Sequence, residues 1–134
     1  MPARNMMHPP SSDAILAAAD AAFDGLPDEF RDLTGGVVFT VQDFADRETL
    51  TKMGIANPYE LLGLFQGVPY AVREGYGGPL EPTMIFLYAQ PIIAFWRARD
   101  DSLEDIVRHV LIHEIGHHFG LSDDDMHAIE DAAD

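Results

Sequence analysis

Residues 113–123 read His-Glu-Ile-Gly-His-His-Phe-Gly-Leu-Ser-Asp and hold the best-defined chemistry of the chain. His113 and His117 are spaced to stand one above the other on a helix face. Two imidazoles so placed can reach one metal ion, and Glu114 lies close enough to hold a water bound to it. Gly120, after His117, is the residue type that ends a helix in a left-handed conformation. The turn it makes can bring Asp123 back as a third ligand. Two imidazoles and a carboxylate suit a zinc ion that keeps its fourth position for water, the donor set of a hydrolytic site. One zinc per chain is expected, with His113, His117 and Asp123 as ligands and Glu114 as the general base.

Each of these residues has a competing reading. Ser122, Asp123 and Asp124 all suit the start of a final helix, so Asp123 competes with Asp124, Asp125, His127 and Glu130 for the ligand role. His109 lies one turn before His113 on nearly the same face. Such a histidine is more often solvated or hydrogen-bonded than a support for a metal site. His118 points away from the metal face. Tyr59, Tyr70, Tyr76 and Tyr88 are possible donors to a developing oxyanion, and nothing in the pattern selects one.

The elements that must position this run are legible upstream. Ser102, with Asp105 three residues on, makes a capping-box-like start for a helix from Leu103 to about Phe119. Glu104 and Asp105 also suit the positive end of its dipole. Ile106, Val107, Val110, Leu111, Ile112, Ile115 and Phe119 spread round most of the circumference, which predicts a largely buried helix. Polar groups on such a helix are costly unless paired or metal-bound, which supports the metal reading. Ser11, Ser12 and Asp13 offer caps for an alanine-rich helix over 13–24, with Ile15, Ala19 and Phe23 inward and Gly25 at its end. Pro27 opens a short turn through Phe30 and Leu33. Val37–Val41 and Thr83–Tyr88 read as strands, 46–53 as a short helix, and Asn57-Pro58 as a turn. Leu61–Tyr70 contains strand-like pieces, Glu74–Pro79 reads as a loop, and Pro91–Trp96 fits either a strand or a helix.

The run H-E-x-x-H-x-x-G-x-x-D resembles that of the zincin metallopeptidases, with metzincin spacing and Asp in place of the third His. Its layout is similar to that of a family of small single-domain bacterial zincin-like proteins. In that family an N-terminal helix leads to a Leu-Pro-x-x-Phe segment (here Leu26, Pro27 and Phe30), then to Gly-x-x-x-Gly-Val-Pro (Gly63–Pro69) and a motif helix near the C-terminus. The resemblance covers residues 12–130 and implies a metallopeptidase acting on a peptide or protein substrate. Few residues follow Asp123, so no room is expected for the C-terminal subdomain of full-size metzincins, and Met126 falls too soon to be their methionine turn. In zincins the edge strand before the motif helix binds an extended peptide, a role the resemblance gives to Thr83–Tyr88. Ribosome-maturation endoribonucleases share a similar histidine spacing, but this chain has Glu114 where they carry Gly and lacks their final His at position 123. A catalytically inactive relic of the fold is the other alternative. The intact Glu114 argues against it, because a structural zinc takes four closed ligands and needs no base.

The resulting expectation is an α+β fold: a minimal zincin-like core in which a small mixed sheet packs against the N-terminal helix and the buried motif helix. Residues 1–11 read as a disordered lead-in and 12–134 as one domain, which suits a chain of 134 residues with 47% hydrophobic content. A formal charge of −15 disfavours nucleic-acid and anionic membrane surfaces. The absence of cysteine excludes disulfides and thiolate ligands, and with them the thiol-ligated peptide deformylases. No apolar stretch is long enough to span a bilayer, and Met1–Ser12 has no apolar core of a secretory leader, so a cytoplasmic monomer is the default expectation.

Overall fold

Side-chain caps set most of the helix starts in the computed structural model, which describes residues 8–32, 34, 36–66 and 83–133. Ser11 Oγ accepts from the Ala14 N–H at 3.1 Å and starts α1, Ser12–Asp24. A short α2, Asp28–Asp32, follows Pro27 and leads to β1, Val37–Gln42. Asp46 caps α3, Arg47–Lys52, by accepting from the Thr49 N–H at 2.7 Å. A single 3₁₀ turn, Pro58–Glu60, precedes β2, Gly63–Gln66. The remaining elements are β3, Thr83–Tyr88; α4, Ala89–Ala98; α5, Leu103–His118; and α6, Asp123–Ala133. Most of the expected lead-in, the loop Glu74–Pro79, and the strand-like residues after Gln66 lie outside the described residues.

The ambiguous Pro91–Trp96 stretch is helical. Ala89, Ile92, Ile93 and Trp96 are buried with helical spacing, so tertiary burial decides in favour of the 3.6-residue period. Pro91 is tolerated because it occupies the first turn, where its missing N–H would have had no intrahelical partner. The second N–H of the helix, from Gln90, is satisfied by the Asp43 carbonyl at 3.1 Å.

The sheet is mixed, in the order β1-β3-β2. β1 runs parallel to β3 with Val37 opposite Thr83, and β2 runs antiparallel to β3 with Gly63 opposite Leu87. This corrects the expectation that Thr83–Tyr88 is an edge strand. It is paired on both sides, so its backbone donors and acceptors are already used. Among the described residues, the sheet edges are β1 and β2.

The alternation of β3 separates two apolar clusters. Ile85 and Leu87 are fully buried and join Ile15 and Ala19 of α1 and Val107, Leu111, Ile112 and Ile115 of α5 in the main core. Phe86 and Tyr88 face the opposite way, where they meet Leu50, Ile55, Leu61 and Leu64. Phe23 closes the main core against Phe39 of β1, edge to face, at 5.9 Å. The motif helix is therefore buried on most sides, as its sequence predicts. Each of its fully buried aliphatic side chains contributes about 1.5–3 kcal/mol. None of the helices in the described residues is long and apolar enough to cross a membrane.

Two glycines allow neighbours to approach α5 closely. A Cβ on Gly63 of β2 would lie 2.7 Å from Val110 Cγ1, so the strand sits tightly against the helix. A Cβ on Gly116 would lie 2.5 Å from Met126 Sδ and 2.8 Å from its Cγ, and Met126 is fully buried. Gly116→Ala therefore opposes two effects. Helix propensity gains about 1 kcal/mol, while overpacking costs about 1–3 kcal/mol. The expected outcome is a net loss of stability, measured by urea denaturation. The cost should shrink in the Met126→Ala background, where the clash is gone; strict additivity of the two substitutions would refute the contact.

Candidate metal centre

The motif helix begins and ends as its caps dictate. Ser102 Oγ accepts from the Asp105 N–H at 3.1 Å. At the other end Gly120 takes φ +73°, and two bonds close the turn: Leu121 N–H to the Gly116 carbonyl at 2.9 Å and Gly120 N–H to the His117 carbonyl at 3.2 Å. That pair is a Schellman closure, which satisfies the last carbonyls and reverses the chain. Ser122 then caps α6 reciprocally with Asp125. Its hydroxyl accepts from the Asp125 N–H at 3.1 Å, and the Asp125 carboxylate accepts from the Ser122 N–H at 3.3 Å. Ser122, not Asp123, thus takes the cap role, and Asp125 is committed to the same box. Asp123 is exposed in the first turn of α6.

His109, His113 and His117 form a ladder, one turn apart, along α5. The His109 and His113 rings lie 4.0 Å apart, and those of His113 and His117 meet edge to face at 5.8 Å. Glu130 of α6 faces the first two. Its Oε1 is 2.8 Å from His109 Nδ1 and 3.3 Å from His113 Nε2. Among the described residues, His109, His113 and Glu130 are the set whose ligand atoms all lie within 4.8 Å of one another. The structure thus brings His113 beside His117, while neither His117 nor Asp123 belongs to that converging set. Its other members carried weak signals in the sequence. His109 is four residues before His113, and Glu130 is four after the buried Met126, hence on the face of α6 that turns towards α5.

Glu114 is half-buried, and burial pushes its carboxyl up to about 7, opposed by a hydrogen bond from the Phe65 backbone. The β2 register explains that bond. The Tyr88 N–H donates to the Leu62 carbonyl at 2.9 Å, so Leu62 and Leu64 pair with β3 while Gly63 and Phe65 turn their backbone groups outward. The Phe65 N–H thus leaves the sheet on the side of the motif helix. His118 packs its ring on Phe65 at 4.0 Å, in keeping with a structural role.

Burial lowers the His113 pKa, and so does the neighbouring His109; Glu130 opposes the shift. Neutral imidazole is the metal-binding form, so the environment favours ligation. Burial also raises the Tyr88 hydroxyl pKa, with smaller contributions from Asp46 and Glu114. Tyr59 is half exposed, and Tyr70 and Tyr76 lie outside the described residues. A cleft of about 270 Å³ runs between β2 and α5, lined by Leu62, Gly63, Val110, His113 and Glu114 among others. His109, with Phe95 and Ile106, lines both this cleft and a second one of about 320 Å³, which reaches Arg99, Arg108 and Glu130.

Comparisons with known proteins bear on the fold and the family. Among functionally curated proteins, none matches the sequence. The fold is similar to that of a solved structure described as a conserved hypothetical protein from Thermo thermophilus. That likeness has a TM-score of 0.51 at 19% identity and covers 82% of this chain and 94% of the other, so it bears on the fold alone. A family model described as zincin-like metallopeptidase matches residues 34–133, which include the sheet, the motif helix and α6. Such a family implies a divalent metal, typically zinc, and peptide or protein substrates. The chain belongs to the zincin-like metallopeptidase family.

Proposed function

We propose that this protein is a zinc-dependent peptidase in which His113, His117 and Asp123 hold the metal and Glu114 is the general base. The observation that carries the reading is Glu114 itself. A carboxyl whose pKa is pushed up to about 7 sits in a cleft, on the motif helix, beside an adjacent pair of imidazoles. Partial burial makes the ionised carboxylate costly despite the Phe65 hydrogen bond, and a base works best when its pKa lies near the operating pH. The donors suit zinc: His113 is biased towards its neutral form, and Asp123 is not committed to capping.

When bound, zinc acidifies a water and polarises the scissile carbonyl. The chain supplies the rest. Glu114 takes the proton from the attacking water and delivers it to the leaving amine. The Phe65 N–H fixes the carboxylate orientation. At the β2 edge the outward backbone groups of Gly63 and the Phe65 carbonyl offer an extended peptide main-chain partners, with tolerance for its sequence, while the Phe65 N–H stays with Glu114. This edge takes the role that the resemblance had given to Thr83–Tyr88.

Substitution separates the base from the ligands. Glu114→Gln keeps the shape but cannot accept a proton. Digestion of an unfolded polypeptide should slow by about two to four powers of ten at unchanged zinc content; equal rates would sink the base assignment. Asp123→Ala should lower zinc affinity in a calorimetric titration, while the wild-type chain takes up about one equivalent. Unchanged affinity would remove Asp123 from the ligand set.

The pH dependence of the metal-free protein gives a further check. The folded-state pKa of Glu114 is raised from 4.5 to about 7, so the folded state binds the proton more tightly than the unfolded one. The associated stability is fully present below pH 4.5 and is lost as pH rises through 7, by at most about 3 kcal/mol. The lowered pKa values of His113 and His118 give the opposite slope in part of this window, so Glu114 is read from the difference between proteins: in urea titrations with chelator, wild type should lose stability relative to Glu114→Gln as pH rises from 4.5 to 7.

A further inference from the structure

We propose that His109, His113 and Glu130 form a second seat for a zinc-class divalent cation, which overlaps the motif site by sharing His113. This goes beyond the metallopeptidase reading and rests on it only for the competition between the two seats.

One oxygen points to the seat. Glu130 Oε1 is shielded from solvent, and its polar neighbours are two imidazole nitrogens, His109 Nδ1 at 2.8 Å and His113 Nε2 at 3.3 Å, neither in full hydrogen-bond geometry. A carboxylate oxygen in that position normally has a partner with good geometry. A cation between the three atoms would supply it. With ligand bonds of about 2.0–2.2 Å, the edges of a tetrahedral site are about 3.3–3.6 Å long. The separation of His113 from Glu130 already matches that edge, and the separation of His109 from Glu130 needs to open by about half an ångström. All three ligand atoms lie within 4.8 Å of one another.

Positioning comes from the packing already described. Met126, locked beneath Gly116, fixes α6, and Glu130 follows one turn later on the same face. His109 and Glu130 also line the second cleft, which gives a cation access from solvent. Two imidazoles and a carboxylate leave a position for water, and the hardness of the set selects zinc, cobalt or nickel over calcium. Because Nε2 of His113 faces Glu130, one nitrogen cannot serve both seats at once. A cation in the second seat therefore withholds His113 from His117 and Asp123.

The test is calorimetric titration of the full chain with zinc, repeated with cobalt for its visible spectrum. His117→Gln combined with Asp123→Asn removes the motif side; both residues are exposed, so the core is untouched. This variant should still take up one equivalent, more weakly than wild type. Adding Glu130→Gln should weaken it further by at least about tenfold. His109→Ala with Glu130→Gln, in the otherwise wild-type chain, should keep the tight equivalent at wild-type affinity, because the motif seat retains His113. No binding by the His117→Gln/Asp123→Asn variant, or binding indifferent to Glu130→Gln, overturns the second seat. Failure of the peptidase reading looks different. In that case His117→Gln/Asp123→Asn keeps full wild-type affinity and His109→Ala/Glu130→Gln loses it, which makes the second seat the principal one. Circular dichroism of each variant confirms that the comparison is between folded proteins.

Discussion

Everything in this molecule depends on how closely α5 can be covered without hiding its polar face. The helix is apolar round most of its surface and must be packed from several directions, yet it carries Glu114 and a ladder of histidines. Two missing side chains reconcile these demands. Gly63 lets β2 rest on Val110, and Gly116 lets Met126 pin α6 to the motif turn. With both neighbours close, the polar face is reduced to a narrow strip between them. Burial at that strip is partial, which perturbs Glu114 and His113 while leaving a path for solvent.

Partial burial is also what gives the strip its chemistry. Each group there meets a low-dielectric wall on one side and an open cleft on the other. For Glu114 the wall outweighs the Phe65 N–H, and the proton is held near neutrality. For His113 the wall and the neighbouring imidazole act together against Glu130, and the neutral ring is favoured. Both shifts run in the direction a proton-transferring, metal-binding site requires, and both follow from position, not from residue type.

The sheet contributes through its edges. Placing β3 in the centre consumes its backbone groups on both sides and moves the accessible edge to β2, beside the motif helix. The antiparallel register then decides which β2 residues look outward. Gly63 and Phe65 do, so one backbone N–H reaches Glu114 and its neighbours face the cleft. A slip of one residue would exchange these roles with Leu62 and Leu64 and remove the restraint on the base.

What is local can be read from the residues alone. Ser102, Gly120 and the apolar spacing between them specify a buried helix with its caps, and His113, Glu114 and His117 share it because side-chain period is a property of the backbone. The end of α1 at Gly25, the strand Val37–Gln42 and the turn at Asn57-Pro58 are legible for the same reason. The order of the strands is not, because Thr83–Tyr88 has the same apolar composition whether it lies in the middle or at an edge. Nor is the helical state of Pro91–Trp96, a short apolar run that either period fits until packing against α5 and β3 selects one. Glu130 meets His109 and His113 only once the helices have packed, since the angle between two helices joined by a tight turn depends on what lies between them. Here that is Met126 in the space left by Gly116; spacing along the chain gives the helix face of Glu130 and His109, but not the angle at which the two faces meet.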